Sequence, residues 1–296
     1  MKASKMPGQS VCAVIVTYHP SAAVREVVPS VLGQVQGLVV VDNGSNADEV
    51  DPLRAASQAL GFQLIENGEN LGIAEALNQG VRWARKQGYP WVIFFDQDSN
   101  ITDGFVREMF AAWEGHAARD RVASIHPRYK DPESGVEMVV THDSDGEPLL
   151  PMTSGSIMPI WIFEKVGWFA SEYFIDVVDW EYCFRIRAAG FLVIEARSAF
   201  LLHAPGKPTK STLWGHTFVQ THHSAMRRYY ITRNRFVFCR KYFRLFPGWI
   251  INSAYAQFKE TIACLLVEEN RASKFRSILL GTWDALTGKM GKRQGL

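Results

Sequence analysis

Trp91-Val-Ile-Phe-Phe-Asp96-Gln97-Asp98-Ser99 is the stretch on which the fold turns. An unbroken apolar run ends in two carboxylates one residue apart. Such a run, with no polar alternation, reads as a strand buried on both faces, the habit of parallel sheets covered by helices. Carboxylates at the C-terminal end of that strand lie where open α/β sheets bind ligands. Two hard oxygen donors there suit Mg²⁺ or Mn²⁺ on a phosphate group. An Asp after a strand also caps following helices, so the triplet gains weight only if neighbouring segments point to the same ligand.

Working outward, residues 11–18 form a β-branched run closed by His19-Pro20, residues 21–32 have helical spacing, and Gly37 precedes an apolar run at 38–41. Asp42-Asn43-Gly44-Ser45 supplies a turn and a helix start. Residues 62–66 read as a third strand and 73–86 as a helix ending near Gly88. Strand and helix alternating at this spacing predict an α/β fold with a parallel, doubly wound sheet of the nucleotide-binding class. Downstream the pattern loosens. A helix over about 102–113 and a short strand over 122–125 precede a polar segment, 128–148, expected to be a hairpin or flexible loop. A helix over 180–189 stopped by Gly190 and a strand over 191–194 follow, and from about Ser224 the chain reads as helical.

The chain has 296 residues and 47% hydrophobic content, enough for one large α/β domain with an appendage. A net charge of +2 excludes the global basic field of nucleic-acid binding, so no nucleic-acid partner is expected. The charges are segregated nonetheless. Residues 131–147 are acidic, whereas Arg227, Arg228, Arg233, Arg235, Arg240, Lys241 and Arg244 crowd one segment and suggest an anionic partner. Four scattered cysteines form no Cys-x-x-Cys pair and fit a reducing compartment. The N-terminal apolar stretch lacks a cleavage site, and no run of about 18 apolar residues occurs, so neither signal peptide nor spanning helix is expected. The expected location is cytoplasmic, with peripheral attachment to the inner face of the membrane.

In order along the chain stand Val14-Ile-Val-Thr-Tyr18, Val39-Val-Val-Asp-Asn-Gly-Ser45, Asn70-Leu-Gly72, Phe95-Asp-Gln-Asp98, Ser154-Gly155 and Asp179-Trp-Glu-Tyr-Cys-Phe-Arg185. Through these motifs, which span about residues 11–205, the chain resembles the family 2 glycosyltransferases, inverting enzymes of the GT-A fold. Asp-Gln-Asp-Ser, Phe-Ile-Asp-x-Val-Asp-Trp-Glu and a later Tyr-Ile-Thr-Arg-Asn resemble the bacterial rhamnosyltransferase branch. That resemblance implies a dTDP-sugar donor, dTDP-rhamnose, and a glycan or lipid-linked saccharide acceptor of the bacterial surface. It further implies a GT-A catalytic domain over 1–215 and a helical region over 216–296.

Carried onto this sequence, the resemblance makes Asp42 the residue that recognises the base, Asp96 a ribose or water-mediated metal contact, and Asp98 the direct ligand of Mg²⁺ or Mn²⁺. Thr17, Tyr18, Asn43 and Gln97 fall in the same donor pocket. Asn70-Leu71-Gly72 opens a helix carrying Ala74, Ala76, Asn78 and Gly80, whose N-terminus would face base or ribose. His203 matches a family histidine that completes the metal or diphosphate site. Arg233 and Asn234 are expected to hold the diphosphate by bidentate hydrogen bonds. Asp179 is the candidate general base, matching the second carboxylate of the family's Glu-Asp pair. Here the first position is Val178, so Asp176 or Glu181 remains open as a contributor.

Nucleotidylyltransferases also place metal-binding acids on an α/β sheet, but need a Gly-rich basic loop where this chain has Thr17-Tyr18-His19-Pro20. A binding module without turnover would keep Asp-Gln-Asp and dispense with Asp179. Beyond Phe236 the mixture of aromatics and cations suits contact with anionic membrane, although packing against the catalytic domain would use the same residues.

Overall fold

The computed structural model describes residues 10–21, 24–138, 140–143, 146–203, 209–213, 216–220 and 222–295, with only the backbone described for 209–213 and 216–220. The chain forms two compact units. One comprises Met1–Ser171 and Val178–Ala204, the other Glu172–Val177 and Pro205–Leu296. The division falls after Ala204, earlier than the boundary expected near 215, and residues 172–177 group with the C-terminal unit.

In the first unit β1 (Val11–Thr17), α1 (Val24–Leu32), β2 (Gly37–Asp42), α2 (Ala47–Leu60), β3 (Gln63–Glu66), α3 (Ile73–Lys86) and β4 (Trp91–Asp96) follow the predicted alternation. β5 (Asn100–Ile101), α4 (Phe105–Glu114), β6 (Val122–Lys130), β7 (Ile157–Pro159), α5 (Trp161–Val166), α6 (Val178–Ala188) and β8 (Leu192–Leu202) complete it. The sheet runs β3-β2-β1-β4-β7-β6-β8-β5. The first four strands are parallel, whereas β7 joins β4 and β6 antiparallel.

Local chemistry explains these elements. Every residue of β1 is buried, as expected of a central strand with helices on both faces. Val24, Val27, Val28 and Val31 give α1 one apolar stripe. Asn46 and Glu49 close a capping box on α2, and Gly61 ends it at φ 75°, donating its N–H to Ser57 O. On α3, a β-carbon at Gly80 would stand 2.3 Å from Val14 Cγ1, so this glycine is what lets helix and strand touch.

Two strands are longer than sequence predicts. β6 continues to Lys130 and β8 to Leu202, paired in parallel with register shifts at Val122/Ser124 and Pro127/Arg128. Ser124 and His126 broke the apolar pattern, yet both are buried. His126 Nε2 and Ser124 Oγ share a hydrogen bond of 2.7 Å, and burial pushes the ring down to about 3, keeping it neutral. Where it is described, the polar segment after Arg128 carries hairpin-like antiparallel bridges. Glu137 bridges to Lys130, His142 to Pro148, and Arg187 holds Asp143 at 2.6 Å.

In the second unit β9 (Thr209–Leu213) and β10 (His216–Gln220) pair antiparallel, and α7 (Ala225–Tyr242), α8 (Pro247–Val267) and α9 (Arg271–Thr287) supply the expected helices. Ser224 caps α7 by accepting from Arg227 N. At Gly281 a β-carbon would lie 2.6 Å from Tyr229 O, which marks the close crossing of α9 on α7.

Candidate active site

Within the first unit, register brings three strand ends together. Thr17 lies opposite Asp42, and Val16 opposite Asp96, so β2, β1 and β4 end side by side at their carboxyl edge. Gln97 reaches back to accept from Tyr18 N at 2.9 Å, which fixes the loop after β1 and leaves the Tyr18 ring exposed.

Asp42 is 1% exposed. Its Oδ1 accepts from Gly44 N and Ser45 N, and its Oδ2 from Thr17 and Ser45 hydroxyls at 3.0 and 2.5 Å. These four bonds fill the lone-pair positions of a carboxylate. In this arrangement Asp42 builds the turn and offers no free acceptor to a base, unlike the expectation from sequence. Asn43 then carries the network outward: its Oδ1 accepts from Asn67 Nδ2 and Leu71 N, and its Nδ2 donates to Asn70 Oδ1 at 3.1 Å. Asn70 Oδ1 also accepts from Gly72 N, which holds the entry to α3. A β-carbon at Gly44 would meet Glu69 C at 2.4 Å, so only glycine permits this closeness. Asn78 does not face this loop. It makes two backbone-like bonds to Phe169, at 2.9 and 3.0 Å.

The acidic pair is organised by β5. Asn100 lies opposite Leu202, so the antiparallel pairing draws His203 back beside the residues just before Asn100. Asp98 is exposed. Asp96 N donates to the hydroxyls of Ser99 and Ser154, which bond one another at 2.7 Å. Desolvation and the adjacent Asp98 charge raise the Asp96 carboxyl, while His203 and the Ser154 hydroxyl oppose the rise. His203 Nδ1 is buried with no hydrogen-bond partner among the described residues. No three His, Cys, Asp or Glu side chains among the described residues are gathered closely enough to enclose an ion.

Asp179 sits half-buried in the first turn of α6, with Oδ1 accepting from Trp180 N at 2.9 Å. The buried Tyr129 phenol, bonded to Met152 O at 3.1 Å, is raised by burial first and then by the charges of Cys183, Asp179 and Asp96, with the Met152 bond opposing. Neither Tyr129 nor Ser99 was marked from sequence, since a tyrosine in a strand and a serine in a turn carry no local signal. Glu181, left open by sequence as a contributor to the base, is fully buried. Arg185 holds both its oxygens and also bonds Val166 O and Trp168 O at 3.0 and 2.7 Å. Both oxygens of Glu181 are therefore engaged by Arg185.

Within the second unit, Arg233 and Asn234 differ from expectation. They are 1% and 0% exposed. Arg233 donates to the carbonyls of Gly291 and Tyr173, and Asn234 to those of Tyr173 and Ile175. As placed, neither presents donors to a diphosphate. Asp176 belongs to the same unit, paired with Arg227 at 3.2 Å.

Comparison with known proteins agrees with this geometry. Residues 12–148 match the Glycosyl transferase family 2 model. The chain is 29% identical, over 95% of its length and 97% of the other, to the dTDP-rhamnosyl transferase RfbF of Shigella flexneri. Among solved structures it resembles the mannosyltransferase PcManGT from Pyrobaculum calidifontis in complex with GDP-Man and Mn²⁺, with 15% identity, 94% and 87% coverage and a TM-score of 0.57. It also resembles S. aureus TarS 1–349 in complex with UDP-GlcNAc, with 12% identity, 95% and 92% coverage and a TM-score of 0.54. At such identities the likeness is one of fold. Residues 12–148 thus carry the sequence pattern of a family 2 glycosyltransferase domain, on a sheet of the GT-A kind whose strand ends bring Asp42 and Asp96 together.

Proposed function

We propose that this enzyme transfers rhamnose from dTDP-rhamnose to a hydroxyl of a glycan or lipid-linked saccharide, with inversion at the anomeric carbon. The observation that carries the reading is the end-to-end likeness to a dTDP-rhamnosyl transferase. The carboxyl-edge meeting of Thr17, Asp42 and Asp96 supports it.

In this reading the exposed Tyr18 ring offers a stacking face to the base, held in place by Gln97. The loop built by Asn43, Asn70 and Gly72 borders the nucleoside, and Asp96 faces the ribose. Asp98 and His203 would hold Mg²⁺ or Mn²⁺. The residues fit such an ion: Asp96 is raised by desolvation and then by the neighbouring Asp98 charge, and His203 has a buried Nδ1 with no hydrogen-bond partner among the described residues. When bound, the ion neutralises charge on the departing diphosphate. Asp179 accepts the proton of the acceptor hydroxyl as its oxygen bonds to the anomeric carbon and the bond to dTDP breaks. With Val178 at the neighbouring position, that work falls to one carboxylate.

Transfer from dTDP-rhamnose to an oligosaccharide acceptor, followed chromatographically with Mn²⁺ and with chelator, tests the reading. Asp179→Asn is expected to lower kcat about 10²- to 10⁴-fold while donor binding by calorimetry stays unchanged. Full activity in that variant removes Asp179 from the role. Turnover of a UDP-sugar in preference to dTDP-rhamnose overturns the donor assignment.

A further inference from the structure

α8 is a helix largely without cover. Of its 21 residues only Ile250, Ala263 and Cys264 are buried. Ile251, Tyr255 and Phe258, at the spacing of one helical face, are 58%, 62% and 59% exposed. α9 repeats the pattern with Leu279, Trp283 and Leu286 at 54%, 61% and 57%. Of the fourteen large apolar side chains exposed among the described residues, ten lie between Phe236 and Leu286. Apolar surface concentrated in this way marks a contact with something apolar.

The charges say what kind of contact. At exposed positions from 240 to 286 stand six cations, Arg240, Lys241, Arg244, Lys259, Arg271 and Arg276, and one acid, Glu269. The other acids of this stretch are used within the unit. Glu260 pairs with Arg235 at 3.1 Å, Glu268 with Arg228 and Lys274 at 2.9 and 2.7 Å, and Asp284 with Arg293 and the Tyr229 hydroxyl. The whole chain is only +2, so the cationic surface arises from local segregation. Lys259 Nζ lies 4.6 Å over the Tyr255 ring, an apolar body with a charged tip of the kind that sits at a lipid headgroup boundary.

We propose that the second unit docks peripherally on an anionic lipid bilayer, with the exposed stripes of α8 and α9 entering the headgroup region and the surrounding cations meeting lipid phosphates. Among the described residues no helix is long and apolar enough to cross a membrane, so the contact is interfacial. A second copy of the chain fits less well, because a two-fold contact would set the cationic face against itself. The proposal concerns this surface alone and does not rest on the identity of the donor.

Sedimentation of the full chain with vesicles of phosphatidylcholine, and of phosphatidylcholine mixed with phosphatidylglycerol, tests it without any nucleotide. Binding is expected to the mixed vesicles and to weaken as salt is raised. Tyr255→Ser with Phe258→Ser, and separately Leu279→Ser with Trp283→Ser, are each expected to weaken partitioning about tenfold. These side chains are exposed, so the thermal midpoint and dTDP binding of both variants should match the parent. No sedimentation with phosphatidylglycerol vesicles, or unchanged binding in both variants, overturns the proposal. So does a concentration-dependent dimer, or a complex with single-stranded RNA, that the same substitutions abolish in place of lipid binding.

Discussion

Asn234 donates through Nδ2 to the carbonyl of Tyr173 at 2.8 Å, and Arg233 reaches the same oxygen at 3.1 Å. The segment they grip is unusual. Phe174, Asp176 and Val177 hold φ of 66°, 63° and 69°, a region that costs a non-glycine residue about 1–3 kcal/mol and is rare for a β-branched one. Such a backbone persists only where its surroundings over-determine it. Here two buried side chains of α7 do so from within the same unit, with Phe174 stacked on Tyr230 at 5.0 Å.

Replacing Asn234 by Leu strands the Ile175 carbonyl and removes one of the two donors to Tyr173 O in a buried setting. A loss of about 2–4 kcal/mol is expected, since each unsatisfied buried group costs about 1–3 kcal/mol. Urea unfolding measures it. A loss below about 0.5 kcal/mol, within the range of ordinary surface changes, would show that the grip does not hold the segment.

Gly80→Ala puts a methyl where Val14 Cγ1 already stands, 2.3 Å from the ideal position. Overpacking of this kind costs about 1–3 kcal/mol. The double variant Gly80→Ala with Val14→Ala should recover part of that loss, because the second change removes the obstructing methyl. Additive losses in the two single variants would mean that the helix meets the strand differently.

The fold was legible because its signals are local and repeated. The apolar runs at Val11–Thr17 and Trp91–Asp96, the Gly37 and Gly88 punctuation and the helical stripe at Val24–Leu32 each speak for one element, and together they fix a parallel sheet. The Asp96/Asp98 pair was legible for the same reason. What sequence hid was partnership. Ser154 meets Ser99 across 55 positions, Asn78 meets Phe169 across 91, and the same residue types occur in ordinary turns and helices. Burial was hidden as well: sequence does not show that Glu181 is enclosed with Arg185, or Arg233 among backbone carbonyls.

Asp98→Asn keeps the shape of the side chain but removes its charge. In the proposed site this weakens donor binding in the presence of Mn²⁺ and leaves metal-free binding unaltered. Calorimetric titration of dTDP-rhamnose with and without Mn²⁺ should show a metal-dependent gain in the parent that falls at least about tenfold in the variant, as expected for loss of a direct charged ligand. His203→Ala should reduce the same gain. Retention of the full gain in both variants would place the ion elsewhere.

Glu268 sets an acid limit on the stability of the second unit. Burial alone would raise its carboxyl, but the hydrogen bond from Lys274 and the charges of Arg228 and Lys274 outweigh this and hold it down at about 2, against an ordinary 4.5. A carboxyl lowered on folding binds its proton less readily in the native state, so its contribution is complete above pH 4.5 and disappears as pH falls toward 2. The contribution is on the order of 2–3 kcal/mol. Glu268→Gln takes from buried Lys274 and Arg228 the charge they share, leaving Arg228 its longer contact of 4.0 Å with Glu260, and should be less stable than the parent by about 3 kcal/mol at pH 7. That gap should close on acidification, because the parent's own carboxyl becomes neutral, while Asp284, lowered in both proteins, cancels from the difference. Urea unfolding of both proteins from pH 7 to pH 2.5 measures the gap, and one that stays constant with pH would show that Glu268 is not charged in the native state.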